Sequence, residues 1–408
     1  MTTLDLKSMV GFFDTLDEPE EMLDERSASL KQLGDVFEFP SYRYSSFVKM
    51  PLPEIVLERI TTEPDCTVKV DADEEIAVQH KVTEDTYSRH IAMSKVPEKD
   101  ATDTLHTAFM NNILVISIPD GHIARQPITI EVEAGKDTLF SSIYIRAGKD
   151  SSSRIVVKRR SSDDCSLSST RLNLSLRAGA RADLIDVQDL SHETIALEHS
   201  VFRMEDSASL TASGICLGAK YAKPRFSSEL DGEGASSELR VLNLATGRRR
   251  HNIHAESLHN APGTYSDIFT KAVVSDRAKC LATGNVYIGP EASDSNGYET
   301  QNALIISETA EADAIPNLEI RNHDVKCSHG STVSQLDTDQ IFYLMSRGMT
   351  RKNAELMLIR GFFDDLLTKV GDEDITRSAE DKIRAMLSRE HGEDDAKGQD
   401  ERRGSADA

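Results

Sequence analysis

From about residue 54 to 333 the chain consists almost wholly of short runs with period-two alternation, and amphipathic helical windows are nearly absent. ITIEVE (128–133), SIYIR (142–146), RIVVKR (154–159), RLNLSL (171–176) and ADLIDV (182–187) are examples. Alternation with many β-branched positions is the signature of half-buried strands. Between the runs lie tight turns of Gly, Ala, Asp or Ser: AGKD at 134–137 and 147–150, AGARAD (178–183), EDSAS (205–209), GEGASS (232–237), SDRAKC (275–280), TAEAD (309–313) and NHDVKC (322–327). Their spacing reads as irregular. Small residues suit corners where the backbone must swing with little obstruction. A strand, a corner and the next strand, repeated, is how a parallel β-helix (solenoid) buries each coil on its neighbours. A β-sandwich would give similar strands. Aromatic content of 5% with no Trp, together with the small corners, favours the solenoid, and the fold class expected is mainly β with helical segments at both ends.

The flanks read differently. Residues 1–33 have a helical pattern, with Leu4, Leu6, Met9, Val10, Phe12 and Phe13 before an acidic stretch, then Leu30 and Leu33. SYRYSSFVKMPLPEIV (41–56) is a Pro-containing extended lead-in. After Val333 the period becomes helical. Asp337 with Gln340 forms a capping-box pattern, Gly348 ends that helix, and a second helix from Thr350 sets Ala354, Met357, Leu358, Gly361 and Phe362 on one face. Residues 378–390 read as a further helix capped by Ser378, and 391–408 as disordered. The expected division is 1–53 for the N-terminal helical and lead-in segment, 54–335 for the β-helix core, 336–370 for a C-terminal helical region and 371–408 for a charged tail.

Charge narrows the function classes. Forty-seven Lys and Arg against 69 Asp and Glu leave a net −22, which argues against a nucleic-acid carrier. No apolar run approaches the roughly 18–20 residues that span a bilayer, and the first residues do not read as a secretory leader, so a cytoplasmic protein without membrane contact is expected. Cys66, Cys165, Cys216, Cys280 and Cys327 are few and scattered, with no CxxC, so neither a disulfide framework nor a one-chain zinc knuckle is expected. No GxxxxGK[ST] occurs, so the chain itself binds no nucleotide through a P-loop.

The densest polar constellation is DVKCSHG (324–330). Cys327 and His329 are two apart, so on a strand they share a face, and a thiolate beside an imidazole suits iron, iron–sulfur or zinc. They are half a site; a second subunit would complete it. The plain alternative is a buried thiol and a surface imidazole. A Cys–His nucleophile pair lacks an oxyanion hole or orienting group nearby, and no paired-carboxylate or Ser/His/Asp array marks an enzyme. His251, His254 and His259 have a metal-like spacing but fit equally a strand whose imidazoles bond across coils. Cys280 follows Lys279, which could activate it, or is an ordinary core thiol.

The stretches GEGASSELRVLNLATGRRRHNIHAESLHNAPGTYSD (232–267), QNALIISETAEADAIPNLEI (301–320) and DVKCSHGSTVSQLDTDQIFYLMSRGM (324–349), with FPSYRYSSF (39–47), resemble the SufB/SufD family of iron–sulfur cluster assembly scaffolds. The resemblance implies a right-handed parallel β-helix, a transient interfacial iron–sulfur cluster with Cys327 and His329 as metal ligands, and a second SufB/SufD-like subunit, either a copy or a paralogue. It also implies a SufC-like ABC ATPase docked on Phe342, Tyr343, Leu344, Arg347, Gly348, Met349 and the following helix through Phe362. KCSHG (326–330) is similar to the SufD form. SufB has a His-Glu pair where this chain has His329-Gly330, and a Cys after a Thr-Gln pair where this chain has Asn302. The alternative implied is a purely structural subunit that positions the ATPase on a SufB-like partner without holding the cluster.

Overall fold

The computed structural model describes residues 18–33, 59–88 and 101–404, with side chains through 388. Successive strands alternate between two sheets, so that each coil adds one strand to each. One sheet has nine strands and ends on Val325–Gln335; the other has ten and ends on Glu311–Ile315. From Ile128 onward the pairing is parallel: Ser236–Ala245 runs in register with Tyr265–Val274, and Ser295–Ile305 with Val325–Gln335. Only the first contacts are antiparallel, Cys66–Asp71 on Ile128–Ala134 and Ala77–Gln79 on Asn112–Ile118. The parallel solenoid is therefore the architecture, and the sandwich is excluded. FPSYRYSSF (39–47), the whole lead-in (41–56) and the apolar residues before Asp14 lie outside the described residues.

The lumen is filled from both sheets by Leu, Ile, Val and Ala, with Leu114, Ile143, Ile155, Leu184, Leu239, Ile253 and Ile268 all at 0–1% exposure. Small residues serve a narrow tube: a Cβ on Gly214 would lie 2.4 Å from the Phe226 ring.

One corner repeats at every coil. Gly121, Asp150, Gly179, Ser207, Gly234, Gly263 and Asp294 all have φ between 55° and 72° and recur every 27–31 residues. Each donates its N–H to a carbonyl one coil onward: Gly121 to Lys149, Asp150 to Ala178, Gly179 to Asp206, and so on to Asp294 with Asp324. The left-handed conformation is why Gly, Asp and Ser stand there. The turns look irregular in sequence because two kinds of corner are mixed: 134–137 and 147–150 are different corners of one coil.

Among the described residues, five helices longer than a single turn flank the solenoid: α1 (Glu20–Leu33), α2 (Ala101–Phe109), α3 (Thr338–Ser346), α4 (Arg351–Val370) and α5 (Glu373–Gly404). Helix α3 starts at Asp337, whose carboxylate accepts from the Asp339 and Gln340 amides; α4 is capped by Thr350. Helix α5 begins before the expected position. Asp372, not Ser378, accepts from the amides of Asp374 and Ile375, and the backbone is helical across most of the segment expected to be disordered.

Helices α4 and α5 lie along the outer face of the nine-stranded sheet. Ile359, Phe363, Leu366, Val370, Ile383 and Leu387 pack on Ile185, Leu242, Val273 and Leu304. The α4 residues packed on the body are thus Ile359, Phe363, Leu366, Leu367 and Val370, a different stripe from the expected Ala354–Met357–Leu358–Gly361–Phe362. Among the described residues no helix is long and apolar enough to cross a membrane.

Candidate functional site at the last rung

Strand Val325–Gln335 is the edge of its sheet and is mostly exposed along its length. Its inner edge pairs with Ser295–Ile305, while among the described residues its outer edge has no strand beside it. An edge of eleven residues presents a row of free backbone groups, ready to pair with another chain.

The preceding strand fixes which side chains look into the lumen. In Ser295–Ile305 the buried positions through Ala303 are Ser295, Gly297, Glu299, Gln301 and Ala303, and the half-buried ones between them face outward. Gly297 is paired with Cys327, and Glu299 with His329. Cys327 packs against the lumenal core, so by strand alternation His329 shares its face. Cys327 is half-buried and His329 exposed, because they stand on the last rung. Burial pushes the Cys327 thiol up, partly offset by the Gly297 amide. Neither residue is sealed in a dry interior. Gly330 has nothing within 4 Å of where a Cβ would stand.

Asn302 faces outward, half-buried. Two lumenal neighbours that no sequence motif marks are Glu299 and Gln301, each 1% exposed. Gln301 Nε2 donates to Glu299 Oε1 at 2.5 Å, whereas Glu299 Oε2 and Gln301 Oε1 have no hydrogen-bond partner. Desolvation raises the Glu299 carboxyl to about 7. The available signal is strand parity counted back from Cys327 through the parallel pairing, and parity needs the register.

The single chain is chemically short of a finished metal site. Among the described residues no group of three or more His, Cys, Asp or Glu is placed to hold a metal ion. Cys327 and His329 supply one sulfur and one nitrogen donor, which fits a shared site and not a closed one-chain site.

The three histidines of 251–259 do not converge. His251 and His259 point into the lumen and are fully buried; His251 Nδ1 bonds Asn243 Oδ1 at 2.6 Å, and His259 bridges Thr264 and Ser266 at 2.8 Å each. His254 lies on the opposite face, against Thr283 at 2.9 Å. His254 thus bonds across coils, as does His251 Nε2 to Ala219 O at 3.4 Å, whereas His259 bonds only within its own coil. Cys280 is a core thiol: burial pushes it up to about 12, Asn243 Nδ2 lies 3.4 Å away, and Lys279 pairs with Glu311 instead. It is therefore not an activated nucleophile.

The second feature is the helical face beside the last rung. Phe342 and Tyr343 are 73% and 56% exposed, and Met357 54%. Leu304, Leu336, Tyr343, Leu344, Met357 and Phe362 line a groove of about 890 Å³ between α3 and α4. Arg347 stacks on Tyr343 at 5.2 Å, Gly348 takes φ 91°, and Met349 is half-buried. Lys271 anchors the groove wall, donating to Phe362 O at 2.6 Å and Asp365 Oδ1 at 2.7 Å under the Phe362 ring. Most of the apolar stripe read from α4, namely Met357, Leu358, Gly361 and Phe362, lines this groove, with Phe362 also packing against the core beneath the helix.

The fold defines a parallel β-solenoid with flanking helices and a terminal edge that no other described strand pairs. Residues 130–362 match the family model described as "SUF system FeS cluster assembly, SufBD core domain", more than half of the chain, and the chain belongs to that family. It is 29% identical over 220 residues to the iron–sulfur cluster assembly protein SufD of Escherichia coli, covering 53% of this chain and 51% of that protein. Against the SufBD family protein ML0594 of Mycobacterium leprae it is 26% identical over 286 residues, 67% and 72% of the two chains. Against the SufB protein of Bacillus subtilis it is 23% identical over 377 residues, 89% and 79%. The match therefore spans about half the length of the Escherichia coli relative.

Proposed function

We propose that this chain is a scaffold subunit of a SUF-type iron–sulfur cluster assembly complex, a structural and not a catalytic component. The observation that carries the reading is the placement of Cys327 and His329 on one face of an exposed edge strand, where a second SufB/SufD-like subunit, a copy or a paralogue, could pair and close the donor set around a cluster. The cluster is cargo, held transiently. Thiolate and imidazole are suited to iron, and a two-fold contact would double each donor without any new residue.

The groove between α3 and α4 supports docking of a SufC-like ABC ATPase, with Phe342, Tyr343, Leu344, Arg347, Gly348, Met349 and Phe362 at or beside it. An exposed apolar helical face of this kind calls for a partner. The buried side of α4 is already used against the solenoid, so the two roles fall on different faces of one helix.

The two-donor count also supports a second reading, in which the chain only positions the ATPase on a SufB-like subunit that holds the cluster. Anaerobic reconstitution with iron and sulfide in the presence of the ATPase separates them. The scaffold reading expects a cluster by absorbance and Mössbauer spectroscopy that is lost in Cys327→Ser; a cluster that survives this substitution, or none in the unaltered complex, favours the structural role.

A further inference from the structure

The last lumenal rung holds a carboxylate that the protein itself only half satisfies. Glu299 is 1% exposed, yet its Oε2 has no hydrogen-bond partner, and the Oε1 of the neighbouring Gln301 has none either. The remaining oxygen, Glu299 Oε1, accepts from Gln301 Nε2 at 2.5 Å, and the backbone amide of Asn317 acts on the same carboxyl. A buried carboxyl oxygen left without a partner is costly, and such groups in a native fold call for an unseen partner. The fold makes room for the carboxylate itself. On the opposite sheet Gly284 faces the carboxylate, and a Cβ there would lie 1.5 Å from Glu299 Oε1.

The location points to the partner. Glu299 is the register mate of His329, and Cys327 stands two residues before His329 on the same strand and the same face. The carboxylate therefore sits one rung inward of the open edge. A carboxylate, an imidazole and a thiolate together form a mixed O, N, S set that suits a ferrous ion better than either a soft thiolate set or a hard all-oxygen one.

We infer that Glu299 is a third donor of this chain for ferrous iron, binding through Oε2 from the lumenal side, while Cys327 and His329 approach from the edge strand. The three are not preassembled. Closing the set requires the side chains to move together, and His329 is exposed on the rim. Gln301 holds Oε1 and so leaves Oε2 for the metal. This inference rests on the assignment of Cys327 as a ligand.

The test is an anaerobic titration of the full-length chain with Co(II), a spectroscopic stand-in for Fe(II), followed by the thiolate-to-cobalt charge-transfer band and the ligand-field bands. Expected are a charge-transfer band in the unaltered protein, its loss in Cys327→Ser, and at least tenfold weaker binding in Glu299→Gln with the charge-transfer band retained and the ligand-field bands altered. Glu299→Asp, which keeps the charge but withdraws the carboxylate by one carbon, is expected to weaken binding in the same way and covers the case in which Glu299→Gln does not fold. If either folded variant binds cobalt as the unaltered protein does, Glu299 is not a donor, while the Cys327 assignment stands. If the unaltered protein shows no charge-transfer band, or Cys327→Ser retains it, the ligand assignment and this inference fall together.

Discussion

Asp103 on α2 accepts a hydrogen bond from Arg225 Nη1 at 2.8 Å across 122 residues of sequence, with both side chains buried. His199 Nδ1 lies 3.0 Å from the other carboxylate oxygen, and Arg171 approaches at 3.9 Å. Desolvation pushes the Asp103 carboxyl up, but the imidazole and the two guanidinium groups outweigh it and hold the carboxyl far below the usual range. Helix α2 is therefore fixed to the ten-stranded sheet by charge as well as by Leu105 and Phe109. Removing one partner of a buried pair strands the others, typically by about 3–5 kcal/mol. Asp103→Ala is expected to destabilise by that order in urea unfolding, with loss of α2 protection in hydrogen exchange; a variant within about 1 kcal/mol, the scale of an exposed ion pair, would show that the cluster adds nothing.

Acid should unfold this protein early. Burial depresses His199, His251 and His259 to about 4 from an ordinary value near 6.5. A histidine with a lowered folded pKa contributes stability fully present above the unfolded value and lost as pH falls toward the folded one, because the unfolded chain takes up the proton first. Glu198, raised to about 7 by desolvation beside Arg159 and Asp186, has the opposite sign: its contribution is present below the ordinary value of 4.5 and lost as pH rises through 7. Glu299 acts in the same direction. Four histidines, His106 included, stand against these two glutamates, while Asp183, Asp267 and Asp313, also raised by desolvation, act on the glutamates' side from a lower starting value of 3.8. Melting temperature is expected to drop between about pH 6.5 and 4.5, since a tenfold difference in proton affinity between the folded and unfolded chain is worth about 1.4 kcal/mol. A flat or rising profile on acidification would contradict the assignment of neutral buried imidazoles.

Two glycines separate space from conformation. A Cβ on Gly232 would sit 2.0 Å from the Asp206 backbone nitrogen, in the corner stack, whereas Gly330 on the edge strand has nothing within 4 Å. Backbone cannot give way as a flexible side chain can, so Gly232→Ala is expected to cost about 1–3 kcal/mol, the range of overpacking. Gly330→Ala should stay within about 0.5 kcal/mol, as exposed substitutions do. Equal melting temperatures for the two variants would refute the argument.

The two sides of the C-terminal helices should respond oppositely to truncation. Phe363 is fully buried against the nine-stranded sheet, and Phe363→Ala is expected to lose about 3–5 kcal/mol of stability. Phe342 is 73% exposed. Phe342→Ser should leave the melting temperature nearly unchanged while weakening co-purification with the proposed ATPase partner; retention of that ATPase at unchanged ratio would remove Phe342 from the proposed docking surface.

Strand alternation, turn composition and the sparse aromatics are enough to read a parallel solenoid with helices after residue 335, since period two and small corners are local properties of the chain. The Cys327–His329 pair is legible for the same reason: residues two apart share a face wherever a strand forms. The caps at Asp337 and Thr350 depend only on hydrogen bonds within one turn, and both stand at the expected residues. Which side of α4 meets the body is not legible. Its two apolar stripes, Ile359–Phe363–Leu366 and Met357–Leu358–Phe362, are similar in hydrophobicity, and only the facing residues Leu242, Val273 and Leu304 decide between them. The 27–31-residue corner stack stays hidden because Gly, Asp and Ser all serve the left-handed position and other corners use the same residues.

The sequence by itself determined the periodicities, and with them the strands, the corners and the placement of Cys327 and His329 on one face. Tertiary structure alone decided that Glu299 comes to lie beside His329, that His251 and His259 turn inward while His254 turns out, and that the last strand is an open edge among the described residues. These depend on register between strands about thirty residues apart, set by the stacking of coils, and a one-residue slip would send every one of those side chains to the other face.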